Sequence, residues 1–377
     1  MIYKTLGKTG IQVSALGFGA MRLPMIERGN GKIVDEDKAI PLIHRALDLG
    51  INYVDTAPGY CDRQSEAVVG KAIKGRRDSI YLSTKNPIED ASGDNWRRRL
   101  ENSLTQLDTD YIDFYHMWGI NLHTFENKVD VPGGPMEAAW RAKDEGLIRH
   151  ISFSFHDEPG NIFKIIDSGY FETVLLQYNL LDQSLTAGME HAYNKGMGVV
   201  VMGPVGGGRL GAPSEAIRSM LGHVRSTAEM ALRFVIANPY ATVALSGMSD
   251  LTMLEENAAV ASIPGGLTEE ERIRVADMLE ENKRLADLYC TGCNYCMPCP
   301  VDVNIPRVFQ LMNYSRVYGL HDYAKQEYRK LADGDIKNGR NADVCVECGS
   351  CEEKCPQDIH IIHQLRETSA ALGVAAG

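Results

Sequence analysis

The chain has 377 residues, a net charge of −11, 44% hydrophobic and 24% charged residues, which excludes a disordered, collagen-like or low-complexity protein. No apolar run approaches the ~18 residues of a membrane span, and the opening MIYKTLGKTG lacks the apolar centre of a signal peptide. No Lys/Arg block stands out, so neither nucleic acid nor a membrane is an expected partner and the expected location is the cytoplasm.

From the N-terminus, short apolar or β-branched runs alternate with stretches of helical spacing. The predicted strands are 15–19, 51–54, 80–83, 111–115, 149–153, 173–176, 198–202 and 242–245. Between them, 37–49, 65–74, 94–107, 135–146, 186–195 and 226–237 carry apolar residues at helical period. Eight strand-then-helix units in about 250 residues predict an α/β protein built on a (β/α)8 TIM barrel. A doubly wound sheet would alternate too, but Gly17 and Gly19 run into Ala20, Met21 and Arg22, so the dinucleotide fingerprint of that fold is missing.

Barrel enzymes carry their chemistry on the loops that follow the strands. Those positions hold Asp55, Tyr60, Lys85, His116, Ser154, Gln177 and the segments 202–209 and 246–249. Taken singly, each has a bland reading as a cap, a rim residue or a solvated cation. Together they suit one task. A tyrosine is a weak acid at neutral pH, a nearby ammonium favours its phenolate, and a carboxylate keeps that ammonium charged and placed. A histidine across the pocket can orient a carbonyl. The group fits protonation of an oxygen as a hydride reaches the adjacent carbon, or the reverse.

The segments VDTAPGY (54–60), SEAVVGKAI (65–73), LSTK (82–85) and YIDFYHMW (111–118), with the opening TLGKTGIQVSALGFGAMRL, resemble the aldo-keto reductase superfamily across roughly residues 3–285. The resemblance implies a (β/α)8 barrel, a catalytic tetrad and NADP(H) or NAD(H) bound without a Rossmann fold. It makes Tyr60 the general acid/base, tuned by Lys85 and Asp55, with His116 orienting a small carbonyl or alcohol substrate. Ser154 and Gln177 match the contacts to the nicotinamide carboxamide, Pro204, Gly206, Gly207 and Gly208 the loop over the pyrophosphate, and Glu256 and Asn257 the adenine side. Ala20, Met21, Asp55, Met202, Arg209, Gly247 and Met248 complete the implied cofactor site. Three departures stand out: Phe155 where Asn is usual, Met202 where a tyrosine stacks on the ring, and no basic residue at Gly247 or Met253. NADPH, NADH and flavin therefore stay open, since the GPVGGGR loop (203–209) could equally take a flavin phosphate. Met21, Trp118 and Phe155 would make the substrate pocket apolar.

Beyond about residue 285 the composition changes. Eight of nine cysteines lie between Cys290 and Cys355, and only Cys61 lies outside, as an expected small rim residue. Thr268 and Glu271 form a capping box for a helix whose apolar stripe is Val275, Met278, Leu279, Leu285 and Leu288. The run 345–356 is C-x2-C-x2-C-x3-C-P, a [4Fe–4S] spacing, whereas 290–300 has two residues before its last cysteine. Zinc is the competing reading, but two such runs point to two [4Fe–4S] clusters. By the two-cluster ferredoxin rule, Cys290, Cys293, Cys296 and Cys355 hold one cluster and Cys345, Cys348, Cys351 and Cys299 the other. The insert reads as helices at 305–319 and 321–332.

The expected organisation is a barrel over 1–285 and a mainly helical ferredoxin-type domain over 286–377, similar to the ferredoxin-fused aldo-keto reductases. A hydride moves two electrons and a cluster one. This leaves three arrangements: structural clusters beside nicotinamide chemistry, a flavin joining the two, or a non-enzymatic electron carrier or redox sensor on a barrel scaffold. An electron-transfer protein partner fits the last two.

Overall fold

A computed structural model describes residues 1–29, 31–222, 224–287 (backbone only from 283), 290, 294–333, 338–355 and 359–373. All eight predicted strands form: β1 Leu16–Gly19, β2 Tyr53–Asp55, β3 Tyr81–Pro87, β4 Ile112–Ile120, β5 Ile148–Phe155, β6 Thr173–Gln177, β7 Gly198–Met202 and β8 Val243–Ser246. They pair in parallel, each with its neighbour in sequence, and β8 closes on β1. The register sets Asp55 beside Ser83, and Lys85 beside His116. Successive side chains point to opposite faces of a strand, so every second residue enters the lumen. There Tyr53, Phe114, Leu175, Val200 and Val243 pack together with Leu6 and Val13, which come from an N-terminal hairpin (Tyr3–Thr5, Gln12–Ser14). The lumen is thus filled below and leaves the opposite end for chemistry.

The outer face of the strands packs on α1 Glu36–Asp48, α2 Ser65–Ile73, α3 Gly93–Leu107, α4 Pro135–Asp144, α5 Ile162–Asp167, α6 Thr186–Asn194, α7 Thr227–Ala237 and α8 Leu251–Val260. The sequence reading omitted α5 and α8. The first has six residues, too few to display a period. The second has a weakly one-sided pattern, and its clearest signal is the N-cap Asp250, whose carboxylate accepts from the Met253 N–H at 2.8 Å. A second hairpin, Met25–Arg28 with Gly31–Val34, follows β1.

By compactness the chain divides into one unit of 1–207 plus 231–267 and another of 208–230 plus 268–377. The helix expected from the capping box is α9 Glu269–Asp287. The reciprocal bonds are present: Glu271 N–H to Thr268 Oγ1 at 3.2 Å and Thr268 N–H to Glu271 Oε2 at 2.8 Å. Of its stripe, Val275 is buried and Met278 and Leu279 are half-buried; the side chain of Leu285 and all of Leu288 lie outside the described residues. Segment 208–230 belongs to this unit because Ser214 Oγ donates to the Tyr318 carbonyl and Arg209 lies over the Tyr314 ring, its guanidinium carbon 5.2 Å from the centroid. The rest is helical as expected: α10 Ile305–Arg316, α11 His321–Ala332 and α12 Ile361–Leu372 enclose Val308, Leu311, Leu331 and Leu365. No helix among the described residues is long and apolar enough to cross a membrane.

Gly70 fixes the approach of α2 to α3, since a Cβ there would lie 2.6 Å from the Leu107 carbonyl oxygen. Overpacking of this kind costs about 1–3 kcal/mol. Gly70→Ala is expected to lower the thermal midpoint by several degrees, followed by circular dichroism, whereas Gly160→Ala, facing open space, should leave it unchanged.

Candidate active site and cysteine cavity

The reactive end of the barrel is built around one buried ion pair. Lys85, 1% exposed, donates to Asp55 Oδ2 at 2.6 Å and to the Thr56 carbonyl at 2.7 Å. Its ammonium lies 4.7 Å from the centroid of the Tyr60 ring. The other carboxylate oxygen of Asp55 accepts from Ser83 Oγ at 2.8 Å. Ser83 precedes Lys85 by two residues and so shares its face, whereas Thr84 between them turns outward to Glu66, at 2.7 Å. The sequence reading missed Ser83, although the LSTK spacing carried the signal.

Tyr60 stands at the start of an unusual turn. Cys61, Asp62 and Arg63 have φ of +50°, +52° and +66°, a left-handed run that costs about 1–2 kcal/mol per residue. Side chains hold it in place. Gln64 bridges the Val34 N–H and the Lys32 carbonyl at 3.0 and 3.1 Å, and the Cys61 thiol points at the carbonyls of Ala20 and Met21. Cys61 is accordingly a half-buried rim residue, and burial pushes its thiol pKa up.

His116 is 0% exposed, one strand alternation below the mouth, and its Nε2 lies 3.0 Å from Ser83 Oγ. The single Ser83 proton goes to Asp55, so His116 Nε2 must be the donor and Nδ1 carries the lone pair. That Nδ1 is buried without a hydrogen-bond partner. Burial, and then the Lys85 charge, lower the His116 pKa to about 3, so the ring is neutral. In this structure His116 braces Ser83 and, through it, Asp55. Its neighbour two residues on, Trp118, meets the phenol ring edge-on, with centroids 6.0 Å apart. The imidazole exposed at the rim is His156, after β5, which also feels Lys85.

The expectation of an acidified phenol is corrected. Burial raises the Tyr60 pKa above its ordinary value, and Lys85 offsets only part of that rise. Burial would neutralise Lys85, but Asp55 and then Tyr60 hold its pKa above the usual lysine range. The site therefore pairs a protonated phenol with a permanent cation, which suits the donation of a proton.

The implied cofactor residues lie mostly on the same rim. Ser154, at the end of β5, accepts from the Gly119 N–H at 2.7 Å and retains its own proton. Gln177 ends β6 beside Gly203 (φ +62°), where an added Cβ would lie only 2.6 Å from the Gln177 Oε1. Met202 is half-buried beside Gln177 in register. Pro204 and Gly206 are buried, Gly207 and Gly208 exposed, and no atom lies within 4 Å of where a Cβ on Gly207 would sit. That open backbone fits the approach of a phosphate, so these residues fit a nicotinamide dinucleotide. Ala20 is buried and its carbonyl accepts from Ser65 Oγ at 2.9 Å, Met21 is exposed, Gly247 is half-buried and Met248 buried. Asn257 donates to Ser246 Oγ at 3.2 Å, and Glu256 is exposed. The Arg209 guanidinium donates to the Tyr314 hydroxyl within the second unit. Phe155 is a correction: alternation turns it away from Ser154 into the packing between strands and helices, so it does not line a pocket.

In the second unit, Cys296 and Cys299 from the first run and Cys345, Cys348 and Cys351 from the second line one cavity. Apolar side chains such as Val301, Ile305 and Leu365 enclose it. A zinc site would draw its thiolates to about 2.3 Å from one point. Among the described residues no three His, Cys, Asp or Glu side chains converge so closely, whereas thiols around a cavity fit a larger iron–sulfur cluster. The Glu347 N–H donates to Cys345 Sγ at 3.4 Å, a contact that helps stabilise a thiolate ligand. Cys290, Cys296 and Cys355 are half-buried; Cys293 lies outside the described residues.

Comparison with known proteins agrees with both parts. The profile of the Aldo/keto reductase family matches residues 15–220, and that of the 4Fe-4S dicluster domain matches 289–360. The uncharacterised oxidoreductase YqkF of Bacillus subtilis is 30% identical over 71% of this chain and 93% of its own length. L-galactose dehydrogenase of Arabidopsis thaliana is 29% identical over 75% and 95%, respectively. Among solved structures, the aldo-keto reductase AKR11C1 of Bacillus halodurans in its holo form has a TM-score of 0.64 at 30% identity, over 74% of this chain and 96% of that one. The closed barrel, the family match and the C-terminal cysteine runs lead to one conclusion: the chain belongs to the aldo-keto reductase family, with a 4Fe–4S dicluster domain following its barrel.

Proposed function

We propose that the barrel reduces a small carbonyl compound to its alcohol, with Tyr60 as proton donor. The observation that carries this reading is the Lys85 ammonium, buried against Asp55 at 2.6 Å and lying 4.7 Å from the phenol ring. When bound, a reduced nicotinamide supplies the hydride that adds to the carbonyl carbon. As the carbonyl π pair moves onto oxygen, Tyr60 Oη gives up its proton to that oxygen. The resulting phenolate is stabilised by Lys85, whose own charge is held by Asp55 and Ser83. Water then restores the phenol, so that one hydride and one proton are consumed per carbonyl. Ser154, Gln177 and the open backbone at Gly207 would hold the dinucleotide. Trp118 and Met21 border the mouth with apolar surface, which favours a carbonyl on an apolar body.

Two [4Fe–4S] clusters complete the protein in this proposal, one on Cys290, Cys293, Cys296 and Cys355 and one on Cys345, Cys348, Cys351 and Cys299. The cavity that Cys296 and Cys299 of the first run line together with Cys345, Cys348 and Cys351 of the second supports a cluster that draws on both runs. Such clusters supply one-electron steps.

Tyr60→Phe is expected to lower aldehyde reduction by at least about 100-fold while the cluster absorbance stays unchanged; full activity in this variant would remove Tyr60 from the chemistry. The pH profile follows from the raised pKa. Reduction needs the protonated phenol, which persists below that value. Measured kcat/KM should stay level from about pH 7 to 9 and decline only above about pH 10, the ordinary tyrosine value. For the clusters, anaerobically purified Cys299→Ala should lose about half of roughly eight irons per chain, by colorimetric iron assay, and Cys61→Ala none. Retention of all iron by the first variant would refute the crossed pairing.

A further inference from the structure

In the proposed cofactor site the two positions where a base is usual carry none. Gly247 and Met253 are not basic, and Arg209 is held by Tyr314 in the second unit. The fold provides one from a distant part of the chain. Arg22 ends the single helical turn Ala20–Arg22 that follows β1. That turn is fixed at its base by the bond from Ser65 Oγ to the Ala20 carbonyl at 2.9 Å and by the burial of Leu23. Because β1 closes the barrel against β8, this loop lies along the loop after β8. A Cβ on Gly19 would sit 3.3 Å from the Ser246 carbonyl oxygen.

The Arg22 stem runs directly over Gly247. A Cβ at position 247 would meet Arg22 Cδ and Cγ at 3.3 Å and Cβ at 3.4 Å. Beyond it, Arg22 Nη2 donates to the Gly207 carbonyl at 3.0 Å, 185 residues away in sequence and in the loop after β7. The guanidinium therefore spans the loops after β7 and β8, beside the open backbone of Gly207. Among the described residues the Gly207 carbonyl is its one hydrogen-bond partner and no carboxylate neutralises it. The side chain is exposed, and four of its five N–H donors remain for an oxyanion.

Resting on the reading that the barrel takes a nicotinamide dinucleotide, we propose that Arg22 is the phosphate-binding cation of that site, replacing the basic residues missing at Gly247 and Met253. The glycine at 247 and the arginine at 22 are two halves of one arrangement, because a side chain at 247 would displace the stem that aims the guanidinium.

The test measures nucleotide binding to the full protein by isothermal titration calorimetry, with no turnover involved. A charge-assisted contact of this kind corresponds to about a 10–100-fold change in affinity. Arg22→Ala should weaken NADPH binding by that factor without changing the thermal midpoint or the iron content. Gly247→Val, which keeps the charge but moves the stem, should weaken it in the same direction. Loss confined to NADPH and to 2′,5′-ADP assigns the 2′-phosphate, and equal loss for NADH assigns the pyrophosphate; either supports the proposal. Arg22→Ala binding both nucleotides within twofold of the unaltered protein overturns it and leaves the barrel reading intact. An unaltered protein that binds neither nucleotide overturns that reading and, with it, the role of Arg22.

Discussion

The buried pair of Lys85 and Asp55 is the contact on which the rest of the site depends. Two opposite charges removed from water persist only when their remaining donors and acceptors are met, and loss of one partner typically costs about 3–5 kcal/mol. Here the barrel meets them in sequence: the Thr56 carbonyl and the Tyr60 side chain for the ammonium, Ser83 for the carboxylate and a neutral His116 for Ser83. A charged imidazole at that depth would oppose Lys85, so the low His116 pKa belongs to the same arrangement. Burial has a second consequence. It keeps the phenol protonated, so Lys85 stabilises the phenolate once it forms rather than generating it beforehand.

Rigid strands position this pair, and loops position everything that must reach it. Tyr60 comes from a left-handed turn that only its surroundings sustain, through Gln64 and the carbonyls of Ala20 and Met21. Strain of this kind is retained at sites where the presented side chain matters. The turn Ala20–Arg22 thus touches both sides of the site: its carbonyls hold the turn after Tyr60, while its last side chain crosses Gly247 to Gly207.

The second unit solves a different problem. The two cysteine runs are too short to form a core of their own, and α10, α11 and α12 supply it. Tyr328 joins that helical core to the second run by donating to Asp343 Oδ1 at 2.8 Å and accepting from the Ala342 N–H at 3.1 Å, just ahead of Cys345. This return of the chain brings Cys299 to the cavity lined by Cys345, Cys348 and Cys351.

The eight strands, the helical character of the C-terminal part, the capping box of α9 and the cysteine spacings were legible in the residues alone, since each is a local pattern with a period of two, three or four. So was the grouping of Asp55, Tyr60 and Lys85 at one rim, because one βα unit separates successive strand ends. What the tertiary structure decided is non-local. Strand register and burial turned His116 inward and made it neutral, set Trp118 against the phenol, and moved Phe155 into the packing layer. Barrel closure brought Arg22 over Gly247, and packing against Tyr314 and Tyr318 drew residues 208–230 into the second unit. Proximity across a closed sheet and the cost of burying a charge depend on neighbours far away in the chain, and no window of sequence contains them.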